Sequence, residues 1–130
     1  EAKNKNLSQV TLWGTGKPKR EFLYVDDMAR ASIHLMNIDK KTYNEQTSSM
    51  SGHINVGSSH DLTIKELAEI IKKVIDFKGE INFDPNKSDG VSRKFLDSAR
   101  INNLGFKPDI SLKEGLIRTY QDYIKINAKL

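Results

Sequence analysis

The chain has 130 residues, 37% of them hydrophobic and 29% charged, with a formal net charge of +4. That length and mixture fit one compact domain, or a piece of a larger one, and exclude a disordered tail. No apolar run approaches the ~20 residues that a membrane-spanning helix needs, and the lack of cysteine removes disulfides, thiolate catalysis and Cys-based zinc sites.

Cysteine-free composition agrees with a reducing compartment, so a cytoplasmic protein is expected. The 21 basic residues are interleaved with 17 acidic ones. Their tight clusters, Lys17-Pro18-Lys19-Arg20, Lys40-Lys41, Lys72-Lys73 and Arg93-Lys94, are too short for a nucleic-acid face. A small phosphorylated ligand needs far fewer cations and stays open. The chain opens on Glu1 in a polar stretch rather than on Met, and an excised piece is expected.

Val10, Leu12 and then Phe22 to Val25 read as two short strands around the Gly-rich turn Gly14-Thr15-Gly16-Lys17-Pro18. Asp26 or Asp27 can cap a helix with Met28, Ala29, Ser32, Ile33 and Met36 at helical spacing. From Asp39 to Gly52 the sequence is polar and aperiodic, which predicts a mobile loop. His53 to Val56 reads as a short strand ending at Gly57, suited to completing a sheet from another part of a parent protein. Thr63-Ile64-Lys65-Glu66 is a capping box, and Leu67, Ile70, Ile71, Val74 and Ile75 form one apolar stripe behind it.

Ile81 and Phe83 alternate as a strand, followed by a polar loop from Asp84 through Asp89-Gly90. Phe95-Leu96 is strand-like. Ser98 can cap a short helix closed by Gly105. Ser111 to Glu114 is a second capping box, opening a last helix with Leu112, Leu116, Ile117, Tyr120 and Ile124 inward. Short strands alternating with three to four helices define an α/β class with an α+β character.

Two stretches can carry chemistry. In the first, Trp13 to Asp27, the two glycines permit a tight backbone path and Arg20 offers a guanidinium fork matched to phosphate oxygens. Trp13 adds a large aromatic face. On spacing alone the plainer reading is a Gly/Pro hairpin with Trp13 buried and Arg20 paired to Asp26 or Asp27. Gly14-x-Gly16 is not a dinucleotide fingerprint, because the third glycine is missing and Pro18 disrupts the helix start.

In the second stretch, Asp89-Gly90 marks a turn, and Arg93 and Lys94 suit a diphosphate. Asp89 can accept hydrogen bonds from ligand hydroxyls; an exposed turn with solvated charges is the plainer alternative. His34, His53 and His60 have no metal-ligand spacing, so no metal is expected. Ser58-Ser59 lacks the flanking glycines of a nucleophile elbow. Tyr24, Tyr43, Tyr120 and Tyr123 lack a lysine four residues on, so no catalytic residue is assigned.

Trp13-Gly-Thr-Gly-Lys-Pro-Lys-Arg-Glu-Phe-Leu-Tyr-Val-Asp-Asp27 resembles a segment of the extended short-chain dehydrogenases/reductases, and within them the GDP-L-fucose synthases. His53 to Gly57, Thr63 to Ala68, Phe83 through Asp97, Leu104 to Phe106 and Ser111 to Leu116 match in the same order. The resemblance implies the C-terminal substrate-binding domain over residues 1–130, without its NADP-binding Rossmann domain. It implies NADPH-dependent epimerisation and reduction of GDP-4-keto-6-deoxy-D-mannose to GDP-L-fucose by a homodimeric parent.

By that resemblance Trp13, Arg20 and Asp89 fall on substrate-binding positions and Lys94 on a further one, while Lys17 and Lys19 receive no role. Ser92 stands where proline is expected, which loosens its loop slightly. The NADP fingerprint, the Ser-Tyr-Lys set and the Cys and His of epimerisation would all lie upstream. The chain alone is therefore expected to hold GDP-sugar without turning it over, and to expose apolar surface around His53 to Gly57 and on its two long helices. Another extended nucleotide-sugar epimerase or dehydratase, or a free-standing nucleotide-binding or interaction module, are the competing readings.

Overall fold

In the computed structural model, which describes residues 1–128, β1 (Gln9–Trp13) pairs in parallel with β4 (Glu80–Asp84). The register sets Val10 opposite Ile81, Leu12 opposite Phe83 and Trp13 opposite Asp84. Parallel neighbours need a long crossover, and its last leg is α3 (Ile64–Val74). The apolar stripe of α3 faces these strands: Leu67, Ala68, Ile71 and Ile75 line, with Val10, Leu12, Phe77 and Ile81, an apolar groove of ≈ 190 Å³. A second sheet has the order β3 (Asp61–Thr63), β2 (Lys19–Glu21), β5 (Arg93–Lys94).

The expected capping box forms at α3. Thr63 Oγ1 accepts from Glu66 N at 3.1 Å and the Glu66 carboxylate accepts from Thr63 N at 2.7 Å. Its other end closes without glycine. Asp76 takes φ 55°, Phe77 N donates to Lys72 O at 3.0 Å and Asp76 N to Lys73 O at 3.3 Å, the two bonds of a Schellman closure. The Lys3 ammonium donates to Ile75 O at 2.6 Å, one of the carbonyls left over at that end, and to the Tyr120 hydroxyl of α5 (Leu112–Asn127) at 3.3 Å.

The chain divides into two compact units. The first holds Glu1–Arg20, Leu62–Lys94 and Lys113 onward; the second holds Glu21–Asp61 and Phe95–Leu112. The core of the second is Ala31 from α1 (Val25–Asn37), Ile101 from α4 (Ala99–Asn103) and Phe106, with Leu35, Ile54 and Val56 against them. Gly105, at φ 88°, closes α4 as expected: Phe106 N donates to Ile101 O and Gly105 N to Asn102 O. The same closure brings Phe106 back onto Ile101.

Several expectations are corrected. Phe22 to Val25 is not a strand: regular pairing ends at Glu21 and Val25 opens α1. β1 and β2 lie in different sheets, so their turn is no hairpin. Within 39–52 lies α2 (Lys40–Gln46), capped by Asp39, whose carboxylate accepts from Thr42 N at 3.0 Å. That makes five helices among the described residues, against three to four expected. His53 to Val56 pairs with no described strand; the Arg100 guanidinium holds His53 O at 2.9 Å and Asn55 donates to Asp97 O at 3.2 Å. Ile54 and Val56 are half-buried against the core, so this stretch exposes less apolar surface than expected.

Phe95-Leu96 is not a strand either, because the Leu96 amide donates to the Glu21 carboxylate at 3.0 Å. The other Glu21 oxygen accepts from Ser59 N at 2.7 Å. Buried Gly57 allows this: a Cβ there would sit 2.6 Å from Glu21 Oε1. Ser98 precedes α4, yet its buried hydroxyl caps nothing and has no partner among the described residues.

Asp27 does not cap its own helix. Fully buried, it accepts from Ile110 N at 3.0 Å, Asp109 N at 3.3 Å and the Arg30 guanidinium at 2.9 Å. Arg30 also pairs with Asp109 at 2.5 Å, so it keeps a carboxylate whatever happens at position 27. Asp27→Ala therefore strands two amides rather than a charge, and should lower unfolding free energy by about 2–3 kcal/mol, read from the urea midpoint.

Candidate functional site

Residues 9–21 and 80–94 run side by side in one direction, each as strand, loop and strand, because β1 lies parallel to β4 and β2 parallel to β5. Ligand sites in parallel sheets favour the loops at the carboxyl ends of strands. Here those loops are 14–18 and 85–92, and the four residues singled out in the sequence lie on or beside them.

The first loop starts where Gly14 N donates to Asp84 O at 2.9 Å. Gly14 has φ 84°, and a Cβ on it would stand 2.2 Å from Asp89 Oδ1; Gly16, at φ 74°, lies against the Phe83 ring. Between them Thr15 meets Asp89 twice. Its amide donates to Asp89 Oδ1 at 2.6 Å and its hydroxyl to Asp89 Oδ2 at 2.6 Å. These bonds, the hydroxyl first and then the amide, with Lys17 nearby, hold the Asp89 carboxyl below its ordinary range. Asp89 is thus an ionised tie between the two loops and not merely a solvated turn residue.

Trp13 ends β1 with its side chain outward at 76% exposure, which overturns the buried-Trp reading. The Lys87 ammonium stands 5.5 Å from its ring centre, within cation–π range. Arg20 is register partner of Lys94 across the β2–β5 pair, as Lys19 is of Arg93. Directly opposed residues of parallel strands share a face, so Arg20 and Lys94 leave neighbouring strands on the same side. The Arg20 guanidinium donates to Lys19 O at 2.7 Å and, among the described residues, pairs with no carboxylate. The expected partners Asp26 and Asp27 do not take it.

Two cationic residues on one face of neighbouring strands, with no carboxylate on Arg20 among the described residues, favour an anion such as a phosphate. The structure thus brings Asp89 to the Trp13–Gly16 corner and Arg20 to Lys94. Sequence reasoning missed Thr15 and Lys87. A threonine between two glycines carries no local sign of a carboxylate 74 positions away. His34 Nε2 bonds Leu104 O at 2.8 Å and His60 Nδ1 bonds Ser58 O at 2.9 Å.

A nicotinamide dinucleotide does not fit the Gly14–Gly16 loop. The first-turn amides of α3, which would face a pyrophosphate, are spent on Ile64 N to Pro18 O, Lys65 N to Gly16 O and Glu66 N to Thr63 Oγ1. Ser92, in place of the expected proline, contributes its carbonyl to Lys19 N at 2.8 Å, a bond that proline would also offer. No helix among the described residues is long and apolar enough to cross a membrane.

Residues 1–57 match the NAD dependent epimerase/dehydratase family. Over those residues the chain is similar to that family, and its fold is that of part of an extended short-chain dehydrogenase/reductase. Within it the chain is similar to GDP-L-fucose synthases. It is 49% identical over 125 residues to GDP-L-fucose synthase of Escherichia coli (strain K12), covering 96% of this chain and 39% of that protein. It is 47% identical over 131 residues to probable GDP-L-fucose synthase 1 of Oryza sativa subsp. japonica, covering 99% and 37%. Among solved structures, a GDP-6-OMe-4-keto-L-xylo-heptose reductase from C. jejuni superposes with TM-score 0.82 at 37% identity, covering 91% and 34%. The chain thus spans less than two-fifths of the length of these relatives, on their C-terminal part.

A lowered carboxyl pKa stabilises the fold above the ordinary carboxylate range, near ~4, and that contribution is lost as pH falls through the folded value. The Thr15 amide resonance should therefore hold steady from neutral pH down to that range and move only in more acidic solution. In Asp89→Asn the acid-dependent movement should vanish. Movement near neutrality would mean that Asp89 is not the acceptor.

Proposed function

We propose that this chain is the GDP-sugar-holding part of an NADPH-dependent 3,5-epimerase/4-reductase that converts GDP-4-keto-6-deoxy-D-mannose to GDP-L-fucose. The observation that carries the site is the pairing of Arg20 with Lys94 on neighbouring parallel strands, with no carboxylate on Arg20 among the described residues. The likeness to GDP-L-fucose synthases supports the choice of a GDP-sugar.

In this reading Arg20 and Lys94 take the diphosphate, where charge-assisted bonds to a planar fork are strong. The exposed Trp13 face packs on the base or the sugar ring. Asp89 accepts from ligand hydroxyls: each of its oxygens already holds one Thr15 donor, and a carboxylate oxygen can accept about two. Hydride transfer from NADPH, the Ser-Tyr-Lys set and the epimerisation acid and base belong to the remaining length of a homodimeric parent. The chain supplies grip and orientation.

Calorimetry with a GDP-sugar should show binding that Arg20→Ala weakens by roughly 10- to 100-fold, the worth of a hydrogen bond to a charged group. Trp13→Ala should weaken it as well. GDP should bind more tightly than UDP or dTDP; equal affinities would remove guanine recognition from this chain. The purified chain should oxidise no NADPH with the keto-sugar nucleotide, and detectable turnover would overturn the division of labour.

A further inference from the structure

We propose that Thr15 is the positioning residue for Asp89, fixing its carboxylate so that the remaining lone pairs meet the hydroxyls of the bound sugar nucleotide. The proposal rests on the GDP-sugar reading and adds to it a residue that acts through Asp89. Three features carry it. First, the contact is a fork: amide and hydroxyl of one residue hold the two oxygens of one carboxylate, both at 2.6 Å. A fork fixes the plane of the carboxylate, which a single bond would leave free to turn.

Second, the Thr15 hydroxyl is itself oriented. It accepts from Lys17 N at 3.3 Å, so its own proton is left for Asp89 Oδ2. Third, glycine clears the space beside the carboxylate. Gly14 and Gly16 flank Thr15 with positive φ, and a Cβ at Gly14 would stand 2.2 Å from Asp89 Oδ1. The carboxylate is seated against bare backbone. A side chain on the 85–92 loop would otherwise sample several rotamers, and a ligand would have to order it on binding. Thr15 does that ordering beforehand.

Thr15→Val keeps the shape and the amide but removes the hydroxyl, and Thr15→Ser keeps the hydroxyl. Calorimetry of this chain with a GDP-sugar should show affinity reduced about three- to tenfold in Thr15→Val, the worth of one net hydrogen bond, and restored in Thr15→Ser. The Asp89 carboxyl, followed by NMR, should titrate at higher pH in Thr15→Val and return toward the wild-type value in Thr15→Ser. Asp89→Asn reads the contact from the other side, and combining it with Thr15→Val should cost less than the product of the single effects.

Wild-type affinity in Thr15→Val, or single effects that multiply in the double variant, would overturn the role of Thr15. If Thr15→Val fails to fold, Asp89→Asn and Thr15→Ser still decide. Wild-type affinity in Asp89→Asn, or weakening in Thr15→Ser as large as in Asp89→Asn, would overturn it. If Arg20→Ala weakens binding while these variants do not, the proposal alone falls. If the wild-type chain binds no GDP-sugar, the reading of the site falls and the proposal with it.

Discussion

The parallel register that sets Trp13 beside Asp84 is the constraint on which the site depends. Antiparallel neighbours would send their loops to opposite ends of the sheet. Parallel ones release both at the same end, so 14–18 and 85–92 leave together and meet. The Gly14 amide continues the pairing for one bond beyond the strand. Thr15 then reaches Asp89, and the second pair, β2 with β5, receives the chain on the far side. Arg20 and Lys94 become neighbours by that second register. The apolar contribution comes from Val10, Leu12, Ile81 and α3, which fix the first register by giving the two strands one face to bury.

Three carboxylates do the joining elsewhere in the chain, and each does so through backbone amides. Asp89 holds Thr15, Glu21 holds Ser59 and Leu96, and Asp27 holds Asp109 and Ile110. A carboxylate can satisfy two donors from segments with no ladder of their own, which suits a fold with short strands and long connections. The same device explains glycines that tolerate no side chain. Gly57 makes room for Glu21 and Gly14 for Asp89. Among the described residues Arg20 has no acidic partner and donates instead to Lys19 O.

That asymmetry gives the site its chemistry. Two cationic residues on one face of neighbouring strands favour a dianion. The exposed indole offers the complementary apolar face, and the fixed carboxylate offers hydrogen-bond acceptors. The amides of the α3 N-terminus are already engaged, which separates this loop from the glycine-rich loops that cradle a dinucleotide.

Local signals in the sequence determined the class of the fold, the capping box of α3, the strand at Ile81 to Phe83 and the closing role of Gly105, because each rests on neighbours within a few residues. They also marked Trp13, Arg20, Asp89 and Lys94 as residues of the right type. Tertiary structure alone decided what those residues meet. Phe22 to Val25 has strand composition but no partner ladder. The polar run after Asp39 holds a helix because one cap suffices there. Thr15 meets Asp89, and Arg20 meets Lys94, across 74 positions of sequence. Strand pairing and shared carboxylates act over that distance, and no local composition records them.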